Sequence, residues 1–204
     1  MSAASRPLVS ATFYFDLRCP FCWAASERLQ RMENLPPIDF RSVRHERELP
    51  IPARPLTESE ATFVDKELVV MRERVPELHV ERLDLWPSTL PVARAVAAMT
   101  RSGRGDVGVF VSTMYRALWQ ERRDPSSPLV ISTALRSAGA GGLIPGPQDD
   151  PMLETWLQAW AAREQRTPTF VSSSGVALVG LATERRLEAF LRSGRIADTS
   201  EDAC

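Results

Sequence analysis

An α/β fold interrupted by a large all-helical insertion is what this 204-residue sequence predicts. Three observations lead there. A strand–helix–strand pattern opens the chain, helical patterns alone fill residues 58–149, and helix, strand, strand and helix patterns close it. Strands interleaved with helices need a sheet that helices can cover. Residues 1–57 and 150–204 are therefore assigned to one α/β domain and 58–149 to a helical insertion domain.

The elements follow in order. Ala11-Thr12-Phe13-Tyr14-Phe15-Asp16-Leu17 is rich in aromatic and β-branched residues, as a buried strand is. Arg18-Cys19-Pro20-Phe21-Cys22 comes next, then a run of good helix formers over residues 23–33. Proline is favoured just inside a helix start, where its missing N–H has no partner to lose. Pro36-Pro37 ends that helix, and residues 38–44 alternate apolar and polar side chains like a second strand. The Cys-x-x-Cys thus sits at a helix N-terminus inside a β-α-β unit. The proline-rich stretch 46–57 reads as a loop.

Residues 58–75 and 88–100 read as helices, the second with Leu90, Val92, Val96 and Met99 apolar. The clearest helical repeat is Val107, Phe110, Val111, Met114, Tyr115, Leu118 and Trp119. A further helix over 127–138 is stopped by Gly139-Ala140-Gly141-Gly142. Leu153, Trp156, Leu157 and Trp160 mark the next helix, at core spacing. Arg166-Thr167-Pro168-Thr169-Phe170-Val171 and Val176-Ala177-Leu178-Val179 flank a Ser/Gly turn and form a hairpin. A last helix carries Leu187, Phe190 and Leu191 inward, and the tail beyond Ser193 is polar.

Composition narrows the function. The formal net charge is -1, with no basic stripe, which excludes a nucleic-acid partner because phosphate binding needs concentrated positive charge. No apolar run is long enough to span a membrane, and residues 1–10 carry no secretory h-region, so the expected location is the cytoplasm. The three cysteines, Cys19, Cys22 and Cys204, are too few for a disulfide scaffold. Cys204, on the polar tail, reads as an idle thiol. The only histidines, His45 and His79, are unpaired and no second Cys-x-x-Cys exists, so no metal site is expected.

The spacing of Cys19 and Cys22 has a direct chemical use. A cysteine at the first turn faces unpaired backbone N–H groups and the positive end of the helix dipole, which favour the attacking thiolate. Three residues on, the second cysteine lies about one turn away and is placed to attack a mixed disulfide formed at the first. Cys19 is therefore the expected nucleophile and Cys22 the expected resolving cysteine. Trp23 is expected to pack beneath the helix.

Phe15-Asp16-Leu17-Arg18-Cys19-Pro20-Phe21-Cys22-Trp23 resembles the active-site segment of DsbA-like proteins, the FrnE-like branch above all. Ser88-Thr89-Leu90-Pro91-Val92-Ala93-Arg94 and the stretch from Ala117 to Asp124 resemble that family's two helical-insert motifs. Thr167-Pro168-Thr169-Phe170-Val171 lies where the family carries its cis-proline loop. The resemblance implies a thioredoxin fold with a helical insertion and thiol–disulfide exchange on a protein or small-molecule disulfide or thiol. It also implies a cis peptide bond before Pro168, substrate contacts at Pro20, Phe21, Thr167 and Pro168, and no tightly bound cofactor, with glutathione or another small thiol as a candidate co-substrate. The dipeptide Pro20-Phe21 departs from the Pro-His of the periplasmic oxidant, so by analogy a less oxidising couple is expected. The same fold and insertion serve 2-hydroxychromene-2-carboxylate isomerases and kappa-class glutathione transferases. Those relatives typically carry serine at the first position and lack the second cysteine, so a small-thiol-dependent transferase or isomerase is the alternative.

Overall fold

A computed structural model of the chain describes residues 11–46 and 48–196. The N-terminal stretch read for a leader, most of the polar tail and Cys204 lie outside the described residues. Strand β1 (Ala11–Phe15) leads into helix α1 (Pro20–Arg31), which returns to β2 (Ile38–Ser42), parallel to β1. Near the other end, β5 (Thr169–Ser172) and β6 (Ala177–Val179) form a hairpin whose first strand pairs antiparallel with β1. The result is a four-stranded mixed sheet in the order β2-β1-β5-β6.

Period-two alternation divides this sheet into two faces. Phe13, Phe15, Phe40 and Phe170 point one way, and the Phe13 and Phe170 rings stack with centroids 4.3 Å apart. Trp23 and Leu29 of α1 close over them, with Phe110, Met114 and Tyr115 of α4 (Val107–Trp119) completing the same core. Tyr14 and Val171 point the other way, against Trp160 of α6 (Asp150–Ala161). The C-terminal helix α7 (Glu184–Ser193) buries Leu187, Phe190 and Leu191, and the Arg28 guanidinium of α1 reaches the Ala182 carbonyl just before it.

Between the sheet's halves lie α2 (Glu58–Arg74), α3 (Leu90–Ser102), α4 and α5 (Pro128–Ser137). Each start has a local reason. Thr57 and Glu60 form a reciprocal capping box on α2, and Asp106 accepts the Val109 amide at the start of α4. Prolines occupy the first turns of α1, α3, α5 and α6, where no helical hydrogen bond is lost. At Gly105 the chain turns with φ +73°, and a Cβ there would meet the Ala138 carbonyl at 2.5 Å, so only glycine fits between α3 and α4. The stretch read as a loop over 46–57 contains a two-residue strand, β3 (Arg54–Pro55), which pairs with β4 (Leu85–Trp86). Such a bridge has no sequence period, because its partner lies some thirty residues away.

Candidate active site

The end of β1 and the start of α1 build the site. Cys19 is the N-cap residue of α1, with its backbone extended at φ -86°, ψ 113°, and Pro20 is the first helical residue. The Cys19 carbonyl accepts the amides of Cys22 and Trp23, which winds the dithiol into the first turn. Cys19 is partly exposed, Cys22 is fully buried, and both are free thiols. Burial pushes the Cys22 thiol well above its ordinary range, and the neighbouring Cys19 sulfur adds to that, so Cys22 rests protonated.

The hairpin's entry faces these sulfurs. Cys19 Sγ lies 3.8 Å from the Thr167 carbonyl. The Thr167–Pro168 peptide is cis, and the Pro168 carbonyl accepts the Gly180 amide at 2.8 Å. Phe21 is half-buried and lines, with Cys19 and Thr167, a cleft of about 550 Å³. Its walls are mixed: Phe63 and Trp86 are apolar, while Arg18, His45, Glu67 and Arg166 are charged or polar. A comparable groove around Arg72, Glu77 and Arg122 is lined by neither cysteine. Among the described residues no cluster of His, Cys, Asp and Glu is arranged to hold a metal ion, and no helix is long and apolar enough to cross a membrane.

Several site residues had no signal in the sequence. Asp16 is buried at the end of β1 and accepts the Arg18 amide at 3.0 Å, the His45 amide at 3.1 Å and His45 Nδ1 at 3.0 Å. An ionised carboxylate only accepts, so Nδ1 carries the proton toward it. Burial by itself would raise the Asp16 carboxyl. The His45 hydrogen bond and the Arg18 charge outweigh it and hold the group below its ordinary 3.8. Arg18 in turn spans Glu46 at 2.9 Å and lies over the Trp86 ring, whose N–H also binds Glu46. From α4, the Tyr115 hydroxyl donates to the Asp16 carbonyl at 3.1 Å and the Trp119 indole to the Leu17 carbonyl at 3.2 Å. The helical stripe announced both aromatics as core. Their polar ends were invisible because the carbonyls they satisfy lie about a hundred residues upstream.

The sign of the Asp16 shift fixes a pH dependence. A carboxyl whose folded value is depressed stabilises the fold above its unfolded value and loses that contribution as pH falls through the folded one. Acid titration of the wild type is expected to show a loss of stability beginning below about pH 4. Asp16→Asn is expected to be less stable near neutrality and to flatten that acid limb, as read from denaturant midpoints at successive pH values.

Sheet order, a Cys-x-x-Cys at a helix start and the interposed helices define a thioredoxin fold with a helical insertion. The chain belongs to the DSBA-like thioredoxin domain family, which matches it over residues 11–144. No curated protein matches the sequence. Among solved structures it is similar to the cytosolic disulfide reductase DsbM from Pseudomonas aeruginosa, at 15% identity and a TM-score of 0.69 over 91% of this chain and 98% of that one. DsbM with GSH gives 14% and 0.67 over 91% and 98%. A 2-hydroxychromene-2-carboxylate isomerase gives 15% and 0.56 over 90% and 93%. At such identities the likeness is one of fold.

Proposed function

We propose that this protein is a thiol–disulfide oxidoreductase acting through Cys19-Pro20-Phe21-Cys22 on a disulfide or thiol of a protein or small molecule. One observation carries the reading: a partly exposed cysteine caps α1, with a second cysteine buried in the same turn. The Cys19 thiolate attacks a substrate disulfide, one substrate sulfur departs as a thiol, and Cys22 then attacks Cys19 Sγ to release the other. Two electrons pass to the substrate, and Cys19–Cys22 becomes a disulfide; in the other direction the same steps oxidise a substrate dithiol. Pro20, Phe21, Thr167 and Pro168 form the contact surface, with the Thr167 backbone beside an extended substrate.

Residues 1–57 and 150–204 carry the chemistry in this proposal, and the insertion 58–149 shapes the approach to it. Glutathione or another small thiol serves as co-substrate, entering the cleft beside Cys19. The DsbM structure with GSH supports that part of the reading, and DsbM's description as cytosolic supports a cytoplasmic location.

Equilibration against glutathione, followed by thiol trapping and mass spectrometry, tests the proposal. A single reversible two-electron transition of the Cys19–Cys22 pair is expected, at a potential below that of strongly oxidising dithiols. A stable Cys19 adduct with the small thiol and no internal disulfide would overturn it in favour of a transferase or isomerase, the second activity found on this fold.

A further inference from the structure

We propose that His45 is a further catalytic residue of this site, carrying the proton of the substrate sulfur, and that Asp16 is the residue that positions it. This deepens the dithiol reading above and rests on it.

Asp16 directly follows β1 and His45 lies just beyond β2, and the parallel pairing of these strands brings both residues to one end of the sheet. Asp16 holds His45 at two points: its carboxylate accepts the backbone amide at 3.1 Å and Nδ1 at 3.0 Å. The Trp160 ring meets the imidazole edge-on, with centroids 5.0 Å apart. Asp16 also fixes the nucleophile's turn, because its carbonyl accepts the Cys19 amide at 3.0 Å. One residue therefore sets where the imidazole stands relative to Cys19. The Asp16 side chain is only 2% exposed, whereas that of His45 is 45% exposed, and His45 and Cys19 line the same cleft.

The hydrogen bond to Asp16 chooses the tautomer. A ring nitrogen that donates to a carboxylate keeps its proton, so the neutral imidazole carries its lone pair on Nε2, across the ring from Asp16. The ionised Asp16 also balances the charge of a protonated ring, which can then release the Nε2 proton and keep the one on Nδ1. A base oriented by a third group is how acid–base residues are commonly built. Exchange with an alkyl disulfide has a proton for it to move. The Cys19 thiolate attacks one substrate sulfur, that bond forms, the substrate S–S bond breaks, and the electron pair leaves on the other sulfur. An alkyl thiolate is basic enough to take a proton near neutrality, and His45 Nε2–H supplies it. The ring is left neutral, and solvent at its exposed edge restores the proton. In the reverse direction Nε2 takes the proton of an incoming substrate thiol, which then attacks as the thiolate. Among the other charged groups lining the cleft, Arg18 and Glu46 pair with each other, and Arg166 is an arginine, which does not release its proton. Glu67 is the one rival proton carrier that this leaves.

Single-turnover reaction of the reduced protein with two uncharged disulfides isolates the proton step, with Cys204→Ser in every variant so that only the Cys19–Cys22 pair reports. Dithiodipyridine expels a thione that needs no proton at sulfur, whereas hydroxyethyl disulfide expels a basic alkyl thiolate. His45→Gln is expected to leave the first reaction within about twofold and to slow the second about tenfold or more. His79→Gln, which removes the histidine bound to Glu81 outside the cleft, and Glu67→Gln are expected to change neither. Imidazole nitrogen NMR is expected to find the neutral His45 ring with its proton on Nδ1. An unchanged hydroxyethyl disulfide reaction in His45→Gln, equal slowing with both disulfides, the same selective slowing in Glu67→Gln or His79→Gln, or a neutral ring protonated on Nε2 would each overturn the proposal. Separately, a Cys19→Ser protein that reacts with dithiodipyridine at the wild-type rate would sink the dithiol reading itself.

Discussion

Cys19→Ser is expected to abolish thiol exchange, with a loss of roughly a thousandfold or more, since removing a covalent nucleophile removes the reaction path rather than weakening it. A serine hydroxyl at the N-cap accepts hydrogen bonds readily and preserves the cap. It does not ionise near neutrality and forms no disulfide. The fold should survive, so circular dichroism and the thermal midpoint remain near wild type while exchange with glutathione disulfide stops. Cys22→Ser is expected to fail differently. Cys19 still attacks, but the buried position one turn on has no sulfur to resolve the product. A mixed disulfide at Cys19 should then accumulate and be visible by mass spectrometry. If Cys19→Ser retained exchange while Cys22→Ser lost it, the two roles would be reversed.

Trp23→Ala is expected to cost about 3–5 kcal/mol of stability. The residue directly follows Cys22, is fully buried, and belongs to the core shared by β1, α1 and α4. Neighbouring backbone on β1 and α1 cannot close so large a void, since both are held by sheet and helix hydrogen bonds. Against a total of about 5–15 kcal/mol for an ordinary domain, the loss is severe. It should lower the thermal midpoint by roughly 10 °C or more. Trp23→Phe is expected to cost much less. Phenylalanine keeps most of the apolar contact, and the indole N–H it removes has no hydrogen-bond acceptor among the described residues. A calorimetric comparison of the two variants decides whether volume or the N–H dominates; equal losses would argue against the packing account.

Much of the architecture was legible because its causes are local. The stripe from Val107 to Trp119 needs only a helical period to be recognised, and its helix runs over those residues. Prolines in the first turns of α1, α3, α5 and α6 announce where helices begin. The start of α6 at Asp150 was harder, because its first inward residue, Leu153, comes only a turn later and the single 3-10 turn at Pro147–Asp149 leads into it. The ribbon of β3 and β4 was not legible at all. Two residues give no alternation, and one of them is Pro55, which cannot donate to a ladder.

The site divides along the same line. Residue order along the chain places Cys19 and Cys22 at a strand-to-helix turn, because that placement depends on near neighbours. It also determined which aromatic residues of α4 face inward. What surrounds the sulfurs depends instead on contacts between elements distant in the chain. Thr167 reaches Cys19 across 148 residues, His45 reaches Asp16 across 29, and Tyr115 reaches Asp16 across 99. These pairs have no shared period or motif. They exist because burying peptide carbonyls and a carboxylate without water forces each to find a donor, and the donors nearest in space come from elements remote in sequence.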